Sequence, residues 1–396
     1  MIVLAYIVKG TVCMNHQLNE NHYVLIEDSK ITAAGPKENI PSSFNGEVFE
    51  FPETYTIVPG FIDLHIHGSR GKDAMDAEME ALAVIATSLP EEGTTAFLAT
   101  TMTQSEDAIR AALKTAGTYT RSDENKFGRA EVLGIHLEGP FINPGRTGAQ
   151  DDKYIIAPDI ERFRQWQETA GGTIRLVTMA PEMENGLTFA EYLSGHGVVA
   201  SIGHSDADYD EVKAAVEAGA RHVTHLFNGM KGIHHREPGT AGAALLFDDL
   251  YTEIIADGIH IRPEMIDLTV RLKGTARTVL VTDSMRAKGM PDGESELGGQ
   301  KVFIQDGKAV LSDGTLAGST LKMSDAVKNV MKFARLTLPE AVAMATLNPA
   351  KVLGIADRKG SIEAGKDADL AVLNEELDPV MTICRGKIAY QRSESV

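Results

Sequence analysis

Pro59-Gly60-Phe61-Ile62-Asp63-Leu64-His65-Ile66-His67-Gly68 is the stretch from which the fold is read. Residues two apart on a strand share a face, so Asp63, His65 and His67 point into a barrel while Ile62, Leu64 and Ile66 pack outward. Two imidazoles side by side, ending at a glycine, match the spacing of metal ligands. They sit near the carboxyl end of a strand, the end at which barrel enzymes carry their active sites.

Outward from this strand the texture alternates. Apolar strand-like segments at residues 57–67, 94–101, 131–138, 173–180, 198–204, 222–228, 252–257 and 278–283 are separated by helical stretches at 77–90, 106–119, 158–170, 207–219 and 262–273, with further helices at 323–335 and 338–347. Alternating strand and helix is the pattern of βα units around a parallel sheet. Repeated eight times, it predicts an α/β fold, a (β/α)8 TIM barrel over residues 59–353, which is close to that fold's ~250 residues plus insertions. Residues 286–318 are Gly-rich, polar and long for a plain connection, which predicts a lid or binding insertion. Short alternating segments at 23–27, 30–34, 368–373 and 380–384 predict that residues 1–58 and 354–396 together form a small β-domain.

Composition narrows the classes. A formal charge of −18, from 56 acidic and 38 basic residues, repels phosphate backbones and anionic lipid, so neither nucleic acid nor membrane is an expected partner. Two cysteines, Cys13 and Cys384, make neither a disulfide framework nor a thiolate metal cluster, which fits a cytoplasmic protein. Met1-Ile2-Val3-Leu4-Ala5-Tyr6-Ile7-Val8 is too short to span a bilayer and has no basic leader.

The remaining strand ends carry the chemistry: His136-Leu137-Glu138-Gly139-Pro140, Gly203-His204-Ser205, His225-Leu226-Phe227-Asn228 and Thr282-Asp283-Ser284. Each has a bland alternative. Glu138 can pair with an arginine, His204 and His225 can be hydrogen-bonded supports, and Asp283 can cap a turn. Convergence of several strand ends on one barrel mouth outweighs these alternatives. The donors are nitrogen and oxygen only, which suits zinc, iron, manganese or cobalt. His65, His67, Glu138, His204, His225 and Asp283 suffice for two divalent ions sharing a carboxylate, with a position left for water, and Asp283 is the expected proton carrier. A basic island follows at residues 228–239, where Arg236 either binds phosphate or carboxylate or pairs with Glu237 in solvent. His260 is expected at the same mouth.

On these residues, together with Leu316-Ala317-Gly318-Ser319 and the closing run from Gly360 to Leu370, the sequence resembles the amidohydrolase superfamily, and within it the branch that deacetylates amino-sugar phosphates. The resemblance implies a barrel flanked by a small β-sandwich built from both chain ends. It implies hydrolysis of the N-acetyl group of N-acetylglucosamine 6-phosphate to glucosamine 6-phosphate and acetate, in amino-sugar catabolism and cell-wall recycling. By the same resemblance Glu138, His204 and His225 hold one metal, and His65 and His67 hold a second beside Glu138 and Asp283. Ala149, Gln150, Asn228, Gly229, Arg236, His260, Leu316, Ala317 and Gly318 would contact the substrate, and a homodimer is expected. Gln150 stands where some relatives have a histidine thought to polarise the acetyl carbonyl. Two competing expectations are another amidohydrolase reaction, on a cyclic amide or a base, and a barrel that has lost catalysis and only binds sugar phosphate. The intact ligand set weighs against the second.

Overall fold

The computed structural model describes residues 5–393, so the first four residues of the N-terminal apolar run lie outside it. Both chain ends enter one eight-stranded sheet: β1 (Ala5–Met14), β2 (Gln17–Glu27), β3 (Lys30–Pro36), β4 (Glu47–Glu50) and β5 (Thr56–Pro59) from the front, and three closing strands from the back. Its apolar face gathers Val8, Val24, Ile26, Ile57, Leu370, Val372 and Ile383, all buried. The expected strand at 57–67 divides at Gly60, with β5 in this sheet and β6 (Phe61–Ile66) in the next. A side chain at residue 60 would lie 2.2 Å from Thr95 Oγ1, so only glycine lets the chain cross there.

β6 begins the barrel. After the short pair β7 (Gly68–Ser69) and β8 (Lys72–Asp73), the barrel continues through β9 (Thr94–Thr100), β10 (Glu131–Glu138), β11 (Ile174–Met179), β12 (Val199–Ile202), β13 (His222–Val223), β14 (Tyr251–Ile255) and β15 (Thr278–Val281). These strands lie parallel and in chain order. The circle closes where the Asp283 N–H donates to the His65 carbonyl at 2.8 Å and the His67 N–H donates to the Ser284 carbonyl at 2.9 Å. The first and last strands therefore deliver His65, His67 and Asp283 to one place.

Helices α1 (Met79–Ser88), α2 (Glu106–Thr120), α3 (Ile160–Thr169), α4 (Gly186–Gly195), α5 (Tyr209–Glu217), α6 (Gly239–Leu246) and α7 (Pro263–Lys273) separate the strands, and α8 (Met323–Ala334), α9 (Leu338–Ala345) and α10 (Leu347–Val352) follow them. Three of these escape the sequence reading: α4, α6 and the short α10. α4 carries glycine at both ends, and α6, Gly-Thr-Ala-Gly-Ala-Ala-Leu-Leu, is buried through Leu245 and shows no polar face to set a period. α5 behaves as its sequence asks: Asp208 and Glu211 form a reciprocal capping box.

The stretch at 286–318 forms a three-stranded antiparallel sheet, β16 (Gly293–Leu297), β17 (Gln300–Gln305) and β18 (Lys308–Val310). Leu297, Val302, Ile304 and Ala309 bury against Met102, Met285 and Ala317, which places this sheet beside the barrel mouth. The closing strands β19 (Leu370–Leu373), β20 (Pro379–Cys384) and β21 (Lys387–Gln391) return to the first sheet, with β19 antiparallel to β5.

The closing motif acts as a clamp between sheet and barrel. Buried Lys359 places its Nζ 2.8 Å from Glu131 at the start of β10 and 3.0 Å from Asp367, and also pairs with Asp369, while Arg358 reaches Glu131 at 3.0 Å and Asp367 at 2.8 Å. The surrounding carboxylates raise the Lys359 ammonium to about 12 against the opposing effect of burial.

Candidate metal and substrate site

Glu138, at the end of β10, is the hub. Its Oε1 lies 3.2 Å from His204 Nε2, 3.0 Å from His225 Nε2 and 3.4 Å from His65 Nε2, and its Oε2 lies 3.3 Å from His67 Nε2. Asp283 Oδ1 adds contacts of 3.2 Å to His67 and 3.5 Å to His65. The structure thus joins all six expected metal residues. Two triads able to hold a metal ion share Glu138: His65 with His67, and His204 with His225.

The backbone is bent to achieve this. His204, His225 and Asp283 all take left-handed conformations, with φ of 48°, 28° and 47°. Such backbone costs on the order of 1–3 kcal/mol per residue and is kept where surrounding structure enforces it, typically at functional sites. Each of the three stands two residues beyond the end of its strand, at Ile202, Val223 and Val281, so the left-handed turn there directs the side chain across the mouth.

The ring tautomers decide what the site requires. His204 Nδ1 donates to the Arg146 carbonyl at 2.8 Å, and His65 Nδ1 donates to Glu253 Oε2 at 3.1 Å. With those nitrogens carrying the protons, the Nε2 lone pairs of both rings face the Glu138 carboxylate, and His65 Nε2 has no hydrogen-bond partner. His204 and His225 also bring their Nε2 atoms to 3.2 Å. Lone pairs converging on a buried carboxylate repel unless a cation lies among them, so the donor set fits a divalent metal.

The protonation energetics agree. Burial would lower the His65 and His67 values, but the carboxylates reverse this, raising His65 well above its ordinary range and His67 to about 9. Burial would raise Glu138, but the surrounding histidines hold it well below the usual carboxylate range. The cavity thus favours positive charge at its centre.

Glu253, midway along β14, was missed in the sequence reading. It is fully buried, and its Oε2 accepts both from His65 and from the His225 N–H, at 3.1 Å each. A carboxylate behind a ligating histidine fixes the ring's orientation and tautomer. The available signal was an acid inside the apolar run Tyr251-Thr252-Glu253-Ile254-Ile255, a type almost never fully buried unless paired.

The cavity over this centre holds about 370 Å³ and is lined by His67, Glu138, His204, His225 and Asp283 together with Ala149, Gln150, Asn228, Gly229, His260, Leu316 and Gly318. Leu297, Gly314 and Thr315 from the inserted sheet and its flank, with Met102 and Gly148, complete the wall. Two expected contact residues are elsewhere. Ala317 is buried under the inserted sheet, its N–H bonded to the Ala309 carbonyl. Arg236 is exposed and donates to His235 Nε2, not to Glu237. No lysine or arginine is among the lining residues.

Gln150 lines the cavity but is committed to the centre. Its Oε1 accepts the Thr103 N–H at 2.7 Å, which orients the amide so that Nε2 donates to Glu138 Oε2 at 2.9 Å. His260 is fixed by Asp257, with Nδ1 to Oδ2 at 2.6 Å. Burial would lower the His260 value, but that carboxylate raises it.

Residues 56–389 match the Amidohydrolase family, so this chain belongs to that family of hydrolases, as barrel, strand ends and donor set require. Within the family it belongs with the N-acetylglucosamine-6-phosphate deacetylases. It is 44% identical to the N-acetylglucosamine-6-phosphate deacetylase of Bacillus subtilis (strain 168), over 96% of each chain. A mutant of that enzyme from Mycobacterium smegmatis, solved in complex with N-acetyl-D-glucosamine-6-phosphate, superposes with a TM-score of 0.90 at 30% identity, covering 98% of this chain and 100% of the other. An N-acetylgalactosamine-6-phosphate deacetylase of Escherichia coli O157:H7 is 36% identical, over 93% of this chain and 95% of its own.

Proposed function

We propose that the protein hydrolyses the N-acetyl group of N-acetylglucosamine 6-phosphate to glucosamine 6-phosphate and acetate, serving amino-sugar catabolism and cell-wall recycling in the cytoplasm. The observation that carries the reading is the convergence of four imidazole Nε2 atoms and the Asp283 carboxylate around Glu138, in a chain 44% identical to a deacetylase of this name. Among the described residues no helix is long and apolar enough to cross a membrane.

His65 and His67 would hold one divalent ion with Glu138 and Asp283, and His204 and His225 would hold a second with Glu138; zinc, iron, manganese and cobalt all suit these donors. When bound, such ions acidify water and polarise a carbonyl oxygen. Asp283, at the mouth, accepts a proton from the attacking water and returns it to the leaving nitrogen. Glu253 and the Arg146 carbonyl keep His65 and His204 in the tautomers that aim Nε2 inward. Gln150 holds the Glu138 carboxylate in place, and His260, aligned by Asp257, offers its remaining ring nitrogen to the sugar. Asn228, Gly229, Leu316 and Gly318 shape the wall against which the sugar lies, with Ala149 beside Gln150.

A phosphate dianion is best held by a lysine or arginine, and the cavity wall has neither. We therefore propose a homodimer as the working assembly, with Arg236 of one copy reaching the phosphate in the other. Arg236→Ala and Asp283→Asn homodimers would each be inactive, and mixing them would restore about a quarter of wild-type activity, the yield of one good site per mixed dimer under random exchange. No recovery on mixing would place Arg236 in its own subunit's site or outside catalysis.

The activity test is acetate release from N-acetylglucosamine 6-phosphate after metal restoration, with Asp283→Asn expected to lose roughly 100- to 10,000-fold in kcat. Full activity in that variant overturns the assigned role. Assaying the galacto epimer alongside separates the second substrate reading, which the relative from E. coli O157:H7 supports.

A further inference from the structure

A second cavity opens at the other end of the barrel. It holds about 490 Å³ and is lined where strands begin: Arg175 is the second residue of β11, Arg221 precedes β13, Tyr251 starts β14 and Arg277 precedes β15. Lys351 of α10 joins them from the side. The one carboxylate in the wall is Asp249. Among the described residues, none of these four cations forms an ion pair, although the chain carries a net charge of −18.

The bonds they do make leave most of their capacity unused. Arg221 directs one Nη to the Val216 and Ala220 carbonyls, at 2.7 Å each, and Arg175 directs one Nη to the Leu353 carbonyl at 3.0 Å. These are carbonyls at the ends of α5 and α10, where cations favour the helix dipole. Helix capping explains part of the arrangement but not all of it. The Arg277 guanidinium lies 4.6 Å over the Tyr251 ring, and Lys351, in the last turn of α10, hydrogen-bonds no helix carbonyl among the described residues with its ammonium. A guanidinium has more donors than these bonds use, and their planar geometry suits bidentate contact with a phosphate. The space is ample for a hexose phosphate, within the ordinary range of ligand pockets.

We infer that this basal cavity is a binding site for a small phosphate-bearing molecule, separate from the deacetylase centre. Arg175, Arg221 and Arg277, from the starts of three alternate barrel strands, are the phosphate ligands, and Lys351 adds charge at the rim. The site is independent of the proposed activity, so the two stand or fall separately.

The test is calorimetric titration of the full-length, metal-free protein with inorganic phosphate and, in a second arm, with glucosamine 6-phosphate. The wild type is expected to show a binding event that weakens as salt rises. In the Arg221→Gln/Arg277→Gln variant that event should weaken about 10-fold or more, while kcat/KM for the acetylated substrate in the metal-loaded enzyme stays within about twofold. Lys351→Gln, an exposed change at a side chain whose ammonium bonds no helix carbonyl among the described residues, should weaken it in the same direction and guards against loss of folding in the double variant. Binding in both arms assigns recognition to the phosphate group itself; binding of glucosamine 6-phosphate alone, if sensitive to both variants, assigns a sugar phosphate. Affinity unchanged in both variants, or no saturable event in either arm, overturns the proposal.

Discussion

Replacing Glu253 by glutamine separates a residue that shapes the metal site from one that merely fills the barrel. Glu253 Oε2 accepts from His65 Nδ1 and from the His225 N–H at 3.1 Å, whereas Oε1 has no hydrogen-bond partner. Glutamine keeps one carbonyl oxygen for both donors and nearly the same volume, so no cavity opens and neither donor is orphaned. What disappears is the negative charge, and with it roughly half the strength of a charge-assisted bond behind His65. Supporting groups of this kind are worth about 10- to 100-fold in metal affinity, and the retained oxygen places Glu253→Gln near the lower figure, about 1.4 kcal/mol. Glu253→Ala should be worse on two counts. It leaves two buried donors unpaired at about 1–3 kcal/mol each, and it loosens both histidines. Chelator competition with the apo and reloaded proteins measures the affinity, and urea midpoints of the apo proteins measure the folding cost. Metal affinity within twofold of wild type in Glu253→Gln, with the fold intact, would refute the idea that the negative charge behind His65 strengthens metal binding.

Gln150→Ala tests whether this amide serves Glu138 or the sugar: a fall in kcat with KM little changed is expected, plus about 1–3 kcal/mol of stability lost from the orphaned Thr103 N–H. A rise in KM alone would return Gln150 to the substrate-contact role expected from the sequence. Lys359→Met should cost about 3–5 kcal/mol in denaturant, because it strips a buried partner from Glu131, Asp367 and Asp369. The pH dependence follows from the shifts. Glu131 and Asp367 are held below the ordinary carboxylate range in the fold, so the stability they supply is present above their unfolded values, near pH 4, and is lost as pH falls through the folded ones. Lys359, raised to about 12, contributes fully below its unfolded value and loses this as pH approaches 12. The wild-type advantage over Lys359→Met should therefore be widest between about pH 5 and pH 10 and shrink on either side. A gap that stays constant with pH would mean that packing, not charge, makes the clamp.

Much of this protein is set by local pattern. Strand periodicity puts His65 and His67 on one face, and alternating strand and helix predicts the barrel, because both signals depend only on neighbours a few residues apart. Signals vanish where an element is uniformly buried, as in α6, or where one extended run serves two sheets, as at Gly60. The six metal residues were all legible as strand ends, yet their roles required three dimensions. That Gln150 binds Glu138, that Arg236 stands outside the cavity, and that Glu253 backs His65 across a sequence separation of 188 residues are consequences of barrel closure and side-chain direction. Sequence alone determined which donors this chain owns and that they gather at one barrel mouth. Only the tertiary structure decided which lone pairs face each other there, because tautomer and orientation are fixed by hydrogen bonds between strands that meet only when the barrel closes.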